Sequence, residues 1–150
     1  MALSRAIGPT GSLTACDVRP DMLARAKENT HRMLGHTDNI TFEMTDVYET
    51  INCENLDRVV LDLPEPWQVV DHAAKALVLG GIFISFLPTI LQVHELTQKL
   101  NDSESFTCVE TFETLFRNWS VKNRSVRPSH RMIGHTGFLT TARRCKSYPA

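Results

Sequence analysis

The chain has 150 residues, 42% of them hydrophobic and 7% aromatic, and a formal net charge of −1 at pH 7, as expected for one soluble domain of modest size. No stretch is long or apolar enough to span a membrane, and the N-terminus lacks a signal-peptide core, so we expect a cytoplasmic protein. The four cysteines lie far apart without the paired spacing of a zinc site or a disulfide framework, which predicts reduced thiols and no metal centre.

Strands and helices alternate from the beginning of the chain. Residues 12–18 read as a short strand that ends in a carboxylate, Asp17. Pro20 then starts a helix whose apolar residues recur at helical spacing, and Gly35 is placed as a left-handed C-cap. Residues 40–44 alternate as a second strand that leads to Asp46, and the polar segment 47–57 reads as a loop or a short helix.

The central stretch, residues 58–67, joins a buried strand to a proline-rich turn. Val59, Val60 and Leu61 form the continuous aliphatic run of a strand buried in a parallel sheet, and the run ends at Asp62. Ligands bind at the carboxyl ends of such strands, so Asp62 is the first candidate for chemistry. The alternative is an aspartate that caps the helix opened by Pro66.

The rest of the chain continues the alternation of helix and strand. Apolar residues at helical spacing mark the helices, and β-branched or aromatic residues mark the strands. The predicted elements are a helix from Pro66 that stops at a turn at 77–81, a strand at 82–87, a helix capped by Thr89 that runs to about residue 100, a strand at 106–116, a loop at 124–131 and a strand at 137–141.

This order predicts a doubly wound, Rossmann-like α/β sheet with helices on both faces. Three strands that each end in an acid place Asp17, Asp46 and Asp62 on one rim. A carboxylate at the end of the second strand of such a sheet commonly binds ribose hydroxyls. No G-x-G-x-x-G occurs in the chain, so the Gly-rich turn that follows the first strand of this fold should precede residue 1.

Positive charge is concentrated at one end of the chain. Residues 1–113 contain all 17 acidic side chains and half of the 16 Lys and Arg, whereas residues 114–150 contain the other half and no acid. This density suits a phosphate backbone, although a solvated face or a terminal tail has the same composition. The cations are Arg117, Lys122, Arg124, Arg127, Arg131, Arg143, Arg144 and Lys146.

Several short motifs occur in a characteristic order. They are Asp62-Leu-Pro-Glu-Pro-Trp67, Gly80-Gly81, Pro88-Thr-Ile-Leu-Gln92, Glu113-Thr-Leu-Phe-Arg-Asn-Trp119, Arg127-Pro128 and Gly134-His-Thr-Gly-Phe-Leu139. Together they resemble the tRNA (adenine-N1)-methyltransferase family, class I S-adenosylmethionine enzymes that modify the T-loop adenosine at tRNA position 58. The resemblance covers nearly the whole chain, and its D-x-x-x-P-W and G-H-T-[GA]-F-L signatures are fairly specific.

The resemblance implies a binding site for S-adenosylmethionine. Asp17 matches the acid, more often Glu, that binds the ribose of the cofactor. Met22 lies where the family tends to place a longer polar residue near the cofactor, and Asp46 with the backbone of Val47 matches the adenine end of the site. Asp62 matches the catalytic acid, which also borders the cofactor.

The resemblance also implies tRNA as the substrate and a homotetramer as the assembly. Asp62 would accept a hydrogen bond from the exocyclic amine of a flipped-out adenine, which orients the base and increases electron density at N1. Trp67 would line the base pocket, unless it is a core aromatic between helix and sheet. Arg124, Arg127 and Arg131 are the candidates for tRNA phosphates.

Other motif residues have structural interpretations. Glu113, Arg117 and Trp119 fall on one face of the predicted strand, which indicates an Arg–Glu pair with a structural or interface role as readily as RNA contact. His135 has no visible partner for nucleophilic or metal chemistry and reads as a turn-packing or interface residue.

The chain departs from the family at its start, because the N-terminal β-barrel domain, the first strand and the Gly-rich cofactor loop are absent. We therefore interpret residues 1–150 as the C-terminal part of a methyltransferase catalytic domain. The absent strand lies between the second and fourth strands of the sheet, so two edges should be unpaired and the chain alone should lack a complete cofactor site.

Two other functions are compatible with the fold. One is a nicotinamide-dependent dehydrogenase that binds ribose through Asp17, against which the D-x-x-x-P-W and G-H-T-G-F-L segments argue. The other is a methyltransferase-like subunit that binds RNA without catalysis, against which the presence of all three strand-terminal acids argues.

Overall fold

A computed structural model describes residues 2–36 and 38–146 as two compact units whose boundary falls between Asn52 and Cys53. The first unit contains helix α1 (Ala2–Ile7), strand β1 (Leu13–Asp17), helix α2 (Pro20–Leu34) and strand β2 (Ile40–Met44). The second contains strand β3 (Leu56–Leu61), a 3₁₀ helix (Pro66–Val69), helix α3 (Val70–Ala76), strand β4 (Leu77–Leu87), helix α4 (Ile90–Asp102), and strands β5 (Phe106–Phe112), β6 (Trp119–Lys122), β7 (Ser125–Pro128) and β8 (Phe138–Arg144).

The first unit is a parallel β1–α2–β2 arrangement. Asp17 at the end of β1 lies opposite Met44 at the end of β2, so both carboxyl ends point the same way. The helix between them has the predicted bounds. Pro20 occupies its first turn, and Gly35 ends it with a left-handed φ of 78° and donates its N–H to the carbonyl of His31 at 2.8 Å.

The second unit is built on a four-stranded mixed sheet in the order β3–β4–β8–β5. The pair β3–β4 is parallel, and β8 lies antiparallel between β4 and β5. Phe83, Ser85 and Leu87 alternate along β4 and are fully buried on the face that α3 and α4 cover. On the opposite face Phe86 is 38% exposed and Phe112 is 46% exposed.

The unpaired edges of β1 and β3 bear on the predicted absence of a strand. Within the described residues β1 pairs only with β2. Among the same residues β3 is the terminal strand of its sheet and pairs only with β4. β2 and β5 are also edge strands of these two sheets, so the pairing does not by itself identify where a further strand would lie. Whether one strand joins β1 and β3 stays a prediction.

Three predicted boundaries are wrong. The expected turn at 77–81 is part of β4, which starts directly after α3. Leu77 pairs with Leu56, and the register of the two strands then shifts before Arg58 pairs with Ile82. Gly80, with a φ of 82°, lies within this irregularity, so the strand continues through both glycines. The expected strand at 106–116 stops at Phe112, because its partner strand β8 starts at Phe138 and offers nothing further to pair with.

The third error concerns the expected loop at 124–131, most of which is a β-hairpin with the strand before it. β6 and β7 pair from Trp119 opposite Pro128 to Lys122 opposite Ser125, joined by a two-residue turn. The first turn residue, Asn123, has a φ of 49°, a left-handed conformation that asparagine tolerates better than most residues.

Candidate active site

Asp17 is the last residue of β1 and Asp46 lies two residues after β2, so both are at the carboxyl ends of neighbouring parallel strands. Oδ1 of Asp17 accepts a hydrogen bond from the backbone N–H of Arg19 at 2.9 Å and lies 3.5 Å from Arg19 Nε. Oδ1 of Asp46 accepts from the N–H of Tyr48 at 2.9 Å. Within the described part of the chain, the second oxygen of each carboxylate has no hydrogen-bond partner. Two acceptors at one sheet edge can therefore bind a ligand with hydroxyl or amino groups.

Met22 and Val47 lie close in sequence to these two acids. Met22 is half-buried in the first turn of α2, and Val47 is half-buried directly after Asp46. A role for either residue beside a ligand at that edge stays a prediction. The carbonyl of Asp46 accepts hydrogen bonds from the N–H groups of Glu49 and Thr50, both at 3.1 Å, so the turn that carries Val47 has a defined shape.

Asp62 is the first residue after β3 in the second unit, and its side chain is exposed. The alternative role as a helix cap is not observed, because the residue that precedes the 3₁₀ helix is Glu65 and no side chain caps that helix. Pro66 opens the 3₁₀ helix as predicted and is fully buried. Trp67 follows it and is half-buried. A carboxylate is thus presented to solvent on a loop anchored by a buried proline.

The common rim predicted for three acids holds for two of them. Asp17 and Asp46 end strands of one sheet, whereas Asp62 ends a strand of the separate sheet in the second unit. A shared site for all three stays a prediction.

The Asp62 loop is held from the side by α4, which sequence reasoning did not identify. Gln92 Nε2 donates a hydrogen bond of 2.9 Å to the carbonyl of Pro64, two residues after the acid. Gln68 Nε2 donates to the carboxylate of Glu65 at 2.7 Å within the same loop. The only sequence signal for Gln92 was its place in one of the family motifs.

Glu113 pairs with His135 rather than with Arg117. The Nδ1 atom of His135 lies 2.9 Å from Oε2 of Glu113, and its Nε2 lies 3.1 Å from the carbonyl of Pro88. The ring also packs against Phe138 with 4.6 Å between centroids. The predicted Arg–Glu pair on a strand is therefore wrong, because the strand ends before Glu113. The packing role predicted for His135 agrees with these contacts.

The basic region contains both exposed and structurally engaged cations. Arg124 lies in the hairpin turn, Arg127 on β7 and Arg131 just after it, and all three are exposed. In contrast, Arg143 donates to the carbonyl of Gly80 at 3.2 Å, and Arg144 donates to that of Ala74 at 2.6 Å. The three predicted tRNA contacts are thus exposed, and Arg143 is also exposed although it binds a backbone carbonyl.

In the second unit a shallow cavity of about 570 Å³ lies between α4 and strands β5 and β8, and Asp62 is not among the residues that line it. Glu113 borders it, and most of the other lining residues are apolar. In residues 2–36 and 38–146, no cluster of three or more His, Cys, Asp or Glu could hold a metal ion. The same ranges contain no helix with the length and hydrophobicity to cross a membrane.

Comparisons with known proteins find the same enzyme class in sequence and structure. The family model described as tRNA methyltransferase complex GCD14 subunit matches residues 1–127. The chain is 36% identical to the tRNA (adenine(57)-N(1)/adenine(58)-N(1))-methyltransferase TrmI of Methanocaldococcus jannaschii, covering 95% of this chain and 59% of that protein. It is 34% identical to the tRNA (adenine(58)-N(1))-methyltransferase TrmI of Thermus thermophilus, covering 97% and 56% respectively.

Solved structures agree on the fold. A SAM-dependent O-methyltransferase from Thermotoga maritima superposes with a TM-score of 0.90 at 30% identity, over 97% of this chain and 54% of that one. The tRNA (m1A58) methyltransferase TrmI from Aquifex aeolicus superposes with a TM-score of 0.80 at 24% identity, over 90% and 54%. The architecture is that of class I methyltransferases, and the chain spans a little over half the length of the relatives it matches.

Proposed function

The chain belongs to the tRNA methyltransferase family described by the GCD14 subunit, and from this premise we propose that the protein containing it methylates N1 of adenine 58 in tRNA with S-adenosylmethionine. The observation that carries the proposal is the exposed Asp62 carboxylate at the carboxyl end of β3, on a loop held by buried Pro66 and by Gln92. An acid presented in this way can act on a base that enters from solvent.

Asp62 is the residue that acts on the substrate in this proposal. Its carboxylate accepts a hydrogen bond from the exocyclic amine of adenine, which orients the ring and increases electron density at N1. The adenine must leave its base stack before Asp62 can contact its exocyclic amine and before its N1 can meet the methyl donor. S-adenosylmethionine would supply a methyl group that is already activated, so positioning accounts for much of the rate.

The residues at the edge of the first sheet fit the cofactor. Asp17 has a carboxylate oxygen without a partner among the described residues, and two acceptor oxygens match the vicinal hydroxyls of ribose. Asp46 also has a carboxylate oxygen without a partner among the described residues. Together with the backbone of Val47, it would bind the adenine end of S-adenosylmethionine. Met22 supplies an apolar contact where a polar one is more usual in the family.

A longer protein is part of this proposal. The unpaired edges of β1 and β3 and the absence of a Gly-rich loop support a preceding segment that contributes a strand and the cofactor loop, together with a β-barrel domain. Residues 1–150 would then be the C-terminal part of the catalytic domain. We expect the protein to work in the cytoplasm, where it meets its tRNA substrate.

The assembly we propose is a homotetramer. The pairing of β6 with β7 puts Trp119, Val121, Val126 and Pro128 on one face of the hairpin. Trp119 is 58% exposed and Val121 is 69% exposed. A two-stranded hairpin is marginally stable alone, so an exposed apolar face supports contact with a further copy.

A second acceptor chemistry follows from one comparison. The structure from Thermotoga maritima is described as an O-methyltransferase, and it superposes on this chain with a TM-score of 0.90. Transfer to oxygen would not need a carboxylate that binds an exocyclic amine. The position of the new methyl group therefore distinguishes the two functions.

The deciding experiment measures methyl transfer from labelled S-adenosylmethionine to unmodified tRNA, with the modified nucleoside identified by mass spectrometry. The chain as it stands is compared with a version extended upstream through the proposed strand and cofactor loop. We expect 1-methyladenosine from the extended protein, and loss of activity in its Asp62→Asn variant. Formation of an O-methylated nucleoside, or RNA binding without methylation, would reject the adenine-N1 assignment.

A further inference from the structure

The turn between β4 and α4 holds the loop that follows Asp62. Gln92, in the first turn of α4, donates from Nε2 to the carbonyl of Pro64 at 2.9 Å. The Oε1 atom of the same amide accepts from the hydroxyl of Thr89 at 2.6 Å, and Thr89 is the N-cap of α4. Because both ends of the Gln92 amide are engaged, the position of the loop depends on the position of this turn.

His135 binds the same turn from its other side. Its Nε2 lies 3.1 Å from the carbonyl of Pro88, the residue before Thr89, and its Nδ1 lies 2.9 Å from the carboxylate of Glu113. A carbonyl and an ionised carboxylate can only accept hydrogen bonds. Both ring nitrogens are therefore satisfied only when His135 is protonated, and the imidazolium then joins the residue after β5, the turn and the segment before β8.

The charge state of His135 follows from its neighbours. The hydrogen bond to Glu113 raises the pKa of His135 from its ordinary value of 6.5, the bond to the Pro88 carbonyl and the negative charge of Glu113 add to this, and desolvation opposes it. Of the other described groups near this contact, His94 on α4 lines the same cavity as Glu113, while Pro88, Thr89 and Phe138 have no ionisable side chain. Glu113 is thus the neighbour that governs the titration.

We propose that His135 is a positioning residue which, as the imidazolium, holds residues 88–92 and through them the Asp62 loop in the geometry needed for methyl transfer. The proposal rests on the proposed function, because the role of Asp62 defines that geometry. His135 itself does not touch the reacting atoms. Since its pKa in the folded protein is raised, its contribution is fully present below the unfolded value and is lost as the pH rises through the folded value.

The kinetic test uses the upstream-extended protein and compares wild type with His135→Asn and Glu113→Gln. We expect His135→Asn to lower kcat about tenfold at neutral pH with KM for S-adenosylmethionine little changed, as for a lost orienting contact. Glu113→Gln should move the alkaline limb of the kcat profile to lower pH, because it removes the carboxylate whose hydrogen bond and charge raise the pKa of His135. A defect that is purely one of folding would not move that limb.

The matched control is His36→Asn. His36 is also exposed, but it lies before β2, at the amino end of the strand and away from the carboxyl edge. We expect its profile to equal that of wild type. An active wild-type protein whose kcat profile is unchanged by both His135→Asn and Glu113→Gln would overturn the positioning role while leaving the proposed function intact.

A second measurement does not depend on catalysis. The chain has two tryptophans, so in a Trp119→Phe background Trp67 is the reporter for the Asp62 loop. Its fluorescence should change with pH at the midpoint that NMR gives for the His135 imidazole, and His135→Asn should abolish that change. If Trp67 fluorescence does not follow the titration of His135, the link between the two is rejected, even for a protein that shows no methyl transfer.

Discussion

The three candidate carboxylates differ in their hydrogen bonds and in their exposure to solvent. Asp17 and Asp46 each use one oxygen in a turn of their own, which fixes the side chain while leaving a second acceptor. Asp62 is exposed, and it does not cap the helix that follows. This difference supports the roles proposed above, in which the two fixed acceptors bind the cofactor and the solvent-facing acceptor binds the incoming base.

The difference between these acids leads to a prediction in the extended protein. Asp62→Ala should reduce kcat by on the order of a hundredfold or more with cofactor affinity less affected, because the lost contact acts on the base. Asp17→Ala should instead weaken S-adenosylmethionine binding by roughly tenfold or more, as expected for lost charge-assisted hydrogen bonds. Equilibrium binding and single-turnover kinetics separate the two effects.

Asp38→Ala is the control for both variants. Asp38 is exposed and precedes β2, at the amino end of the strand. We expect it to change neither quantity. Equal loss of cofactor affinity in Asp17→Ala and Asp62→Ala would contradict the division of roles.

At the level of elements, the β6–β7 hairpin has two different faces. Val121 pairs with Val126 on the apolar face, and Ser120 pairs with Arg127 on the polar one. Side chains alternate between the faces of a strand, so one short hairpin can present an apolar surface to protein and a basic surface to RNA.

The two faces of the hairpin allow a matched test of the assembly. Glutamate at Val121 and Val126 together should reduce the particle mass measured by light scattering below that of a tetramer, because it places charge in an apolar contact. Glutamate at Ser120 and Ser125, on the opposite face, should leave the mass unchanged. A wild-type protein that sediments as a single chain would refute the homotetramer.

Errors in element boundaries have a common physical origin. The helix Pro20–Leu34 has its own start and stop signals and was predicted correctly. The strand β5 stops at Phe112 because of its pairing with β8, whose first residue, Phe138, lies 26 positions further along the chain. Strand length therefore depends on a partner that no local pattern describes.

At the level of the whole molecule, charge is distributed unevenly along the chain. Among residues 114–150, which have no acidic side chain, the described Arg143 and Arg144 donate to backbone carbonyls in the second unit. Arg124, Arg127 and Arg131 are exposed on or beside the hairpin. The fold thus divides the basic residues between structure and a surface that polyanions can reach.

The salt dependence of tRNA binding tests this surface. Replacing Arg124, Arg127 and Arg131 by Gln should weaken binding and reduce the slope of log K against log salt by about one per lost phosphate contact. Lys27→Gln, on exposed α2, should leave the slope unchanged. An unaltered slope in the triple variant would show that these arginines do not contact phosphate.

Much of the architecture and the first candidate acid could be predicted from sequence, because these features depend on local patterns. A continuous aliphatic run predicts the strand before Asp62, Pro20 and Gly35 bound a helix, and motif order indicates the family. The expected burial of that strand on both faces is wrong, because Val59 and Leu61 are buried whereas Val60 is 46% exposed. The apolar periodicity and the turn residues act over a few positions, so their effect is visible without the rest of the fold.

The tertiary structure alone decided how distant segments meet. Gln92 contacts Pro64 across 28 positions, and His135 contacts Glu113 across 22 and Pro88 across 47. The two His135 contacts exist because β8 lies between β4 and β5, and the Gln92 contact exists because β3 and β4 are parallel neighbours whose carboxyl ends meet. The local chemistry of a histidine or a glutamine does not specify such a distant partner. The contacts that hold the Asp62 loop can therefore be identified only from the tertiary structure.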